Sequence, residues 1–182
     1  MQIVLRTEMK QMRVVLALAA FLTLAVGASA QRDLFKKGDA ELRRQEMVLS
    51  MQAAKTRGQI SNLKVATAPG RGNEGTQVFK NKSGDVVYVK ERLYNGKDLV
   101  GLREYFFEDE RMYHVAEDSS ERVSVFGKRE RKVVALKQRF FLDTSGRVFA
   151  SYRTSDGRTS GMSGGETGSY IRRGYDLAGI KR

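Results

Sequence analysis

The 182-residue chain has no cysteine and no tryptophan, one proline and one histidine. Without cysteine there is no disulfide framework, no thiolate metal site, no thiol nucleophile and no acylated cysteine to act as a lipid tether. His114 is the lone histidine, and His, Asp and Glu never recur at the spacing of a metal site. No serine stands in a G-x-S-x-G elbow, and "GMSGG" and "GETGS" lack the lysine of a phosphate-binding loop. The sequence therefore calls for no cofactor and no metal, and it offers no catalytic motif.

Long apolar runs are confined to the N-terminus. Arg6, Lys10 and Arg13 precede the uncharged stretch Val14–Gln31, which closes on Ala28-Ser29-Ala30. A basic, then apolar, then small-residue order is that of a secretory signal peptide, with cleavage expected after Ala30. An uncharged run of 18 residues also reaches the length of a membrane span, so retention as an anchor is the alternative. An exported chain without disulfides fits a bacterial periplasmic or secreted protein. Removing Arg6, Glu8, Lys10 and Arg13 with the leader leaves 30 basic and 20 acidic side chains of the chain's 33 and 21, a net charge of +10. That charge favours an acidic protein of the envelope or an anionic envelope polymer, and it admits peripheral contact with anionic lipid. Export sets nucleic acid aside.

Five segments emerge from patterning: a signal peptide over 1–30, a helical segment over 31–65, a flexible connector over 66–75, an antiparallel β-domain over 76–158, and a Gly/Ser-rich loop with a C-terminal segment over 159–182. Within the second, residues 39–57 read as a helix. Asp39 is its cap, Leu42, Val48, Leu49 and Ala53 are its apolar stripe, and Gly58 ends it. Such a helix is expected to pack on a sheet or on a partner. The connector holds the only proline, Pro69, with Gly70, Gly72 and Gly75. Beyond it the period changes to two, and Asn95-Gly96-Lys97-Asp98 is the strongest hairpin signal. The expected fold is mainly β with an N-terminal α-helix. It is an antiparallel meander of six to eight strands, either a curved sheet or a partly open barrel, with a polar loop at 117–121. Residues 159–169 read as a mobile loop, and a short strand is expected after them.

The stretches from Leu102 and from Leu136 resemble one another. Phe106-Phe107 falls on Phe140-Phe141 and Asp109 on Asp143. With two extra residues allowed in the second turn, Met112 falls on Val148 and Tyr113 on Phe149. Alternation assigns Val87, Val89, Glu91 and Leu93, then Val100, Leu102, Glu104 and Phe106, then Val134 through Leu142 by twos, to a core face. The opposite face then carries Tyr88, Lys90, Arg92, Tyr94, Arg103, Tyr105, Lys137 and Arg139, with Arg153 beside them in an open register. Arginine forks onto phosphate or carboxylate and tyrosine adds flat contact area, so these eight residues are the candidate binding face. A solvated face, or one partly covered by the N-terminal helix through Glu41 and Glu46, is the structural alternative. Glu91, Glu104 and Gln138 on the apolar side need partners such as a helix cation. Otherwise they line a pocket near His114.

The Tyr94-Asn95-Gly96-Lys97 turn followed by Leu102-Arg103-Glu104-Tyr105-Phe106-Phe107 is similar to MORN-variant hairpin repeats. The same region, about residues 85–155, resembles exported bacterial proteins built on a tyrosine-phenylalanine hairpin. The resemblance implies a β-hairpin scaffold used for binding and carries no catalytic residues. The expected function is thus non-catalytic, a binding or structural protein of the bacterial envelope. A subunit of a larger envelope assembly is one alternative. A small hydrolase or lyase using Glu91, Glu104 or His114 is the other.

Overall fold

The computed structural model describes residues 38–68, 75–124 and 131–181. The signal peptide expected over 1–30 and most of the glycine-rich connector lie outside these residues. Helix α1 covers 38–58 and a 3-10 turn covers Ile60–Asn62. Eight strands come next: β1 (Lys64–Thr67), β2 (Gln77–Lys80), β3 (Val86–Asn95), β4 (Asp98–Glu108), β5 (Arg111–Ser124), β6 (Arg131–Leu142), β7 (Val148–Ser155) and β8 (Arg158–Gly161). Helix α2 (Gly164–Ala178) closes the chain. Contacts divide the chain at Arg44/Gln45, inside α1, and the second unit, Gln45–Arg182, holds the remainder of α1, the whole sheet and α2. Among the described residues no helix is long and apolar enough to cross a membrane.

Each strand pairs antiparallel with its sequence neighbours, in the order β1 to β8, and β1 and β8 are left as free edges. The expected meander is therefore an open sheet. It begins at Lys64, earlier than the patterning placed it, and its strands continue through the expected polar loop. Residues 117–121 lie within β5, where Glu117, Asp118 and Glu121 are held by arginines of β4, β6 and β7. Charge pairing across strands takes the place of apolar alternation there.

Both faces of the sheet are covered in part. On one, Ala53 of α1 is seated among Phe79, Tyr88, Phe106, Tyr113 and Ala116, with Leu49, Ile60 and Leu63 around it. On the other, Tyr175, Leu177 and Ala178 of α2 pack on Val89, Tyr105, Phe107, Met112, Val115 and Phe140. The expected helical stripe holds only in part: Leu49 and Ala53 face the sheet, whereas Val48 is exposed.

Helix α2 occupies the segment expected to be a loop and a strand. Ser163 and Glu166 form a reciprocal cap: the Ser163 hydroxyl accepts from the Glu166 N–H, and the Glu166 carboxylate accepts from the Ser163 N–H. This cap satisfies N–H groups that the first turn leaves open and offsets the three glycines of that turn and the next. Thr167, Gly174, Tyr175 and Ala178 then repeat at helical spacing on the buried side. The Tyr175 hydroxyl accepts from the Met112 N–H at 2.9 Å. At Gly174 an added Cβ would lie 2.4 Å from the Tyr105 ring, so the helix reaches this depth only without a side chain.

The two similar hairpins correspond, with one correction. Four residues, 108–111, separate Phe107 from its partner Met112, and five, 143–147, separate Leu142 from Val148, so the second turn holds one extra residue and not two. The second strands align as expected, since Tyr113 and Phe149 are each the additional residue of a bulge. The first strands slip by one: Phe106 corresponds to Phe141, Phe107 to Leu142 and Tyr105 to Phe140.

Candidate functional site

A one-residue slip turns every side chain of a strand to the other face, and β4 is where the expected faces fail. Val89 pairs with Tyr105, Glu91 with Arg103, Tyr88 with Phe106 and Lys90 with Glu104. Arg103 and Tyr105 therefore lie on the α2 side with Glu91 and Gln138. Glu104 and Phe106 lie on the α1 side with Tyr88, Lys90, Lys137 and Arg139. Val87 is the extra residue of the bulge against β2 and packs with the α1-side cluster. Tyr88 and Tyr105 are buried on opposite faces, 1% and 0% exposed, and neither belongs to a surface. Tyr94 is exposed near the β3–β4 turn and, with Arg92, Thr76 and Arg173, lines an open cleft of about 580 Å³.

On the α2 side the charges satisfy one another. Glu91 accepts from the Tyr105 hydroxyl at 2.9 Å, from Arg103 at 3.4 Å and from Arg173 of α2 at 2.9 and 3.0 Å. Arg103 also donates to Glu117 at 2.8 Å, while its guanidinium lies 4.2 Å over the Tyr170 ring. Ser119 donates to the other oxygen of Glu117 at 2.6 Å. This set joins α2 to three strands. Its carboxylates are almost wholly buried, so loss of one arginine leaves an uncompensated charge. Gln138 is buried beside them, and its Oε1 has no partner among the described residues.

On the α1 side, Glu104 receives Arg57 through two nitrogens, at 2.9 and 2.7 Å, and the Tyr88 hydroxyl at 2.6 Å. Burial alone would raise the Glu104 pKa, but these hydrogen bonds outweigh it and hold the carboxyl below its ordinary range. His114 is stacked between Phe106 and Phe141, with ring centroids 5.5 and 4.5 Å away. Its Nδ1 lies 2.8 Å from the Phe140 carbonyl oxygen, which can only accept, so Nδ1 carries the proton. Burial lowers its pKa to about 4 against the partial support of that bond, and the ring is neutral near pH 7. Glu91, Glu104 and His114 are thus not gathered into one pocket. Glu91 is on the far face, and both carboxylates are already paired with cations of the two helices. Among the described residues no group of three His, Cys, Asp or Glu is placed to hold a metal ion.

What remains open is the half of the α1 side that the helix does not cover. Direct pairing places Arg92, Leu102, Asp118, Lys137 and Thr154 in one row across five strands. The row nearer the helix holds Lys90, Glu104, Ala116, Arg139 and Tyr152. Arg139 is fixed by Asp118 at 2.8 Å and by the Glu117 and Gln138 carbonyls. Among the described residues no ion pair holds Lys90, Arg92, Arg122 or Lys137. Arg92 and Lys137 stand three strands apart, about 14 Å at ordinary strand spacing. The expected covering by the helix is also present, since Glu46 of α1 accepts from the Tyr152 hydroxyl. The other flank of α1 is acidic: Asp85, Glu108 and Asp109 rim a cleft of about 290 Å³.

Four of the eight expected residues, Lys90, Arg92, Lys137 and Arg139, thus share the open face, and Arg122 joins them. Arg122 went unrecognised because an expected loop at 117–121 broke the alternation that links it to Ser120 and Asp118. Free guanidinium and ammonium groups of this kind bind phosphate or carboxylate oxygens by charge and, for arginine, by a two-pronged fork. No protein-family model, curated protein or solved structure matches the chain.

Proposed function

We propose that this chain is a non-catalytic binding protein of the bacterial envelope that holds an anionic partner on the open half of the α1 side. The observation that carries the reading is the register-defined row in which, among the described residues, Arg92 and Lys137 stand without ion pairs, while Arg139 in the adjacent row is matched to Asp118. Cations left unmatched on a flat sheet surface are available to a polyanion, and a protein carrying excess positive charge attracts one over several ångströms. The envelope location draws its support from the basic, apolar and small-residue order of the first thirty residues.

The test is binding of labelled inorganic polyphosphate by the chain from Gln31 to Arg182. Arg92→Glu with Lys137→Glu is expected to weaken binding about tenfold or more and to flatten its salt dependence, with the unfolding midpoint unchanged. Unaltered binding by this double variant would dismiss the open face as the site.

A further inference from the structure

The outward face of α1 carries a row of exposed apolar side chains. Met47, Val48 and Met51 are 59, 53 and 66% exposed, and the exposed Ala54 continues the line from Met47 and Met51 at helical spacing. This is the face opposite Ala53, which is seated on the sheet. A helix packed on one sheet uses one apolar stripe, so a second stripe marks a contact that the sheet does not provide.

Two observations select a lipid surface as that contact. The first is charge. The apolar ridge rises on the side of the sheet that carries Lys90, Arg92 and Lys137, and exposed Lys55 lies on the helix itself. An apolar face with unmatched cations along its flank is the pattern that partitions into the headgroup region of an anionic bilayer. The second is chain length. The uncharged run Val14–Gln31 ends seven residues before residue 38, the first described residue of α1. Seven extended residues span at most about 25 Å. Whenever the run engages a bilayer, during export or as an anchor, α1 is held close to its surface.

We infer that the α1 side docks on anionic lipid, with Met47 and Met51 entering the interface and Arg92 and Lys137 meeting headgroup phosphates. This rests on the basic-face reading and adds the lipid bilayer as its partner. The acidic flank of α1 sets the direction of tilt: the molecule leans onto its cationic side.

The chain from Gln31 to Arg182 holds every residue of both core clusters, which run from Leu49 to Ile180, and it lacks the apolar leader. It is expected to sediment with vesicles of phosphatidylglycerol mixed with phosphatidylcholine, and not with phosphatidylcholine alone. Because the chain has no tryptophan, Met51→Trp supplies a clean reporter, whose emission should shift to the blue on the mixed vesicles. Met47→Ser with Met51→Ser should lower partitioning about tenfold while leaving polyphosphate binding and the unfolding midpoint intact. Arg92→Glu with Lys137→Glu should lower both kinds of binding. Polyphosphate binding without vesicle binding would overturn lipid docking and leave the basic face standing. A serine pair that partitions like the parent, or an unshifted tryptophan on bound vesicles, would overturn α1 as the inserted element. Failure to bind either probe would overturn both readings.

Discussion

Arg57 and Glu104, 47 residues apart in the chain, meet as a two-pronged ion pair that fastens α1 to the middle of the sheet. The same guanidinium lies 4.9 Å from the centre of the Phe106 ring. The arginine side chain is 38% exposed and the glutamate 16%, so solvent screens the pair on one side only. Arg57→Met is expected to destabilise the protein by about 1–2 kcal/mol, because Glu104 would keep only the Tyr88 hydroxyl as a side-chain donor. Glu104→Gln in the same chain should recover part of that loss. Urea unfolding of both single variants and the double variant closes the cycle, and simple additivity would show that the two groups are not coupled.

Arg103 has a different weight from the free cations, although the sequence placed it among them. It stands between Glu91 and Glu117, both almost wholly buried. Arg103→Met should cost about 3 kcal/mol or more, whereas Lys137→Met on the open face should stay within about 0.5 kcal/mol. Thermal unfolding of the two variants side by side separates an internal fastening from a surface charge. Equal midpoints would contradict that distinction.

His114 makes stability depend on pH in a fixed direction. Its folded pKa, about 4, lies below the ordinary value of 6.5, so between those values the unfolded chain binds more protons than the folded one. Stability is therefore full above about pH 6.5 and declines as the pH falls toward 4, by up to about 1.4 kcal/mol per pH unit for one proton. His114→Phe keeps a ring between Phe106 and Phe141 and removes the titrating group. Its unfolding free energy should lose that slope over the window. An unchanged slope would assign the acid sensitivity to other groups.

The β4–β5 turn holds Asp109 and Glu110 at φ of 48° and 61°, a left-handed conformation that aspartate tolerates and glutamate adopts poorly. Replacing the pair by Asn-Gly should raise stability by about 1 kcal/mol, since both residues accept that geometry. Denaturant midpoints provide the measurement, and a loss of stability would mean that the acidic side chains contribute contacts of their own.

How much of this was legible depended on whether a strand has one buried face or two. β3 and β6 showed their faces correctly from Val89 and Glu91, and from Val134 through Leu142, because charged residues alternate with apolar ones along much of each. β4 did not, since Tyr105, Phe106 and Phe107 are all buried beneath one helix or the other. Where both faces are covered, alternation disappears and only pairing register settles the orientation. The polar middle of β5 read as a loop because its carboxylates answer arginines on β4, β6 and β7, which come within reach only after folding. Helix α2 was hidden by its glycines, although Ser163 and Glu166 at capping-box spacing were a visible signal. The candidate face survived in part for a related reason: Lys90, Arg92, Lys137 and Arg139 lie on strands whose parity was readable, and Arg103 and Tyr105 on the one whose parity was not.

The neighbour-to-neighbour order of the sheet also bears on how the molecule assembles. Every strand finds its partners immediately before and after itself, so each hairpin can close with short loops and little entropy cost. The last helix is different. Tyr175 and Leu177 reach the apolar surface made by Val89, Tyr105 and Phe140 only after the whole meander exists. Folding from the N-terminus would thus pass through a stage with one greasy face unsealed, and the final fifteen-residue helix acts as its lid. A chain ending at Ser163 would keep all eight strands and remain adhesive.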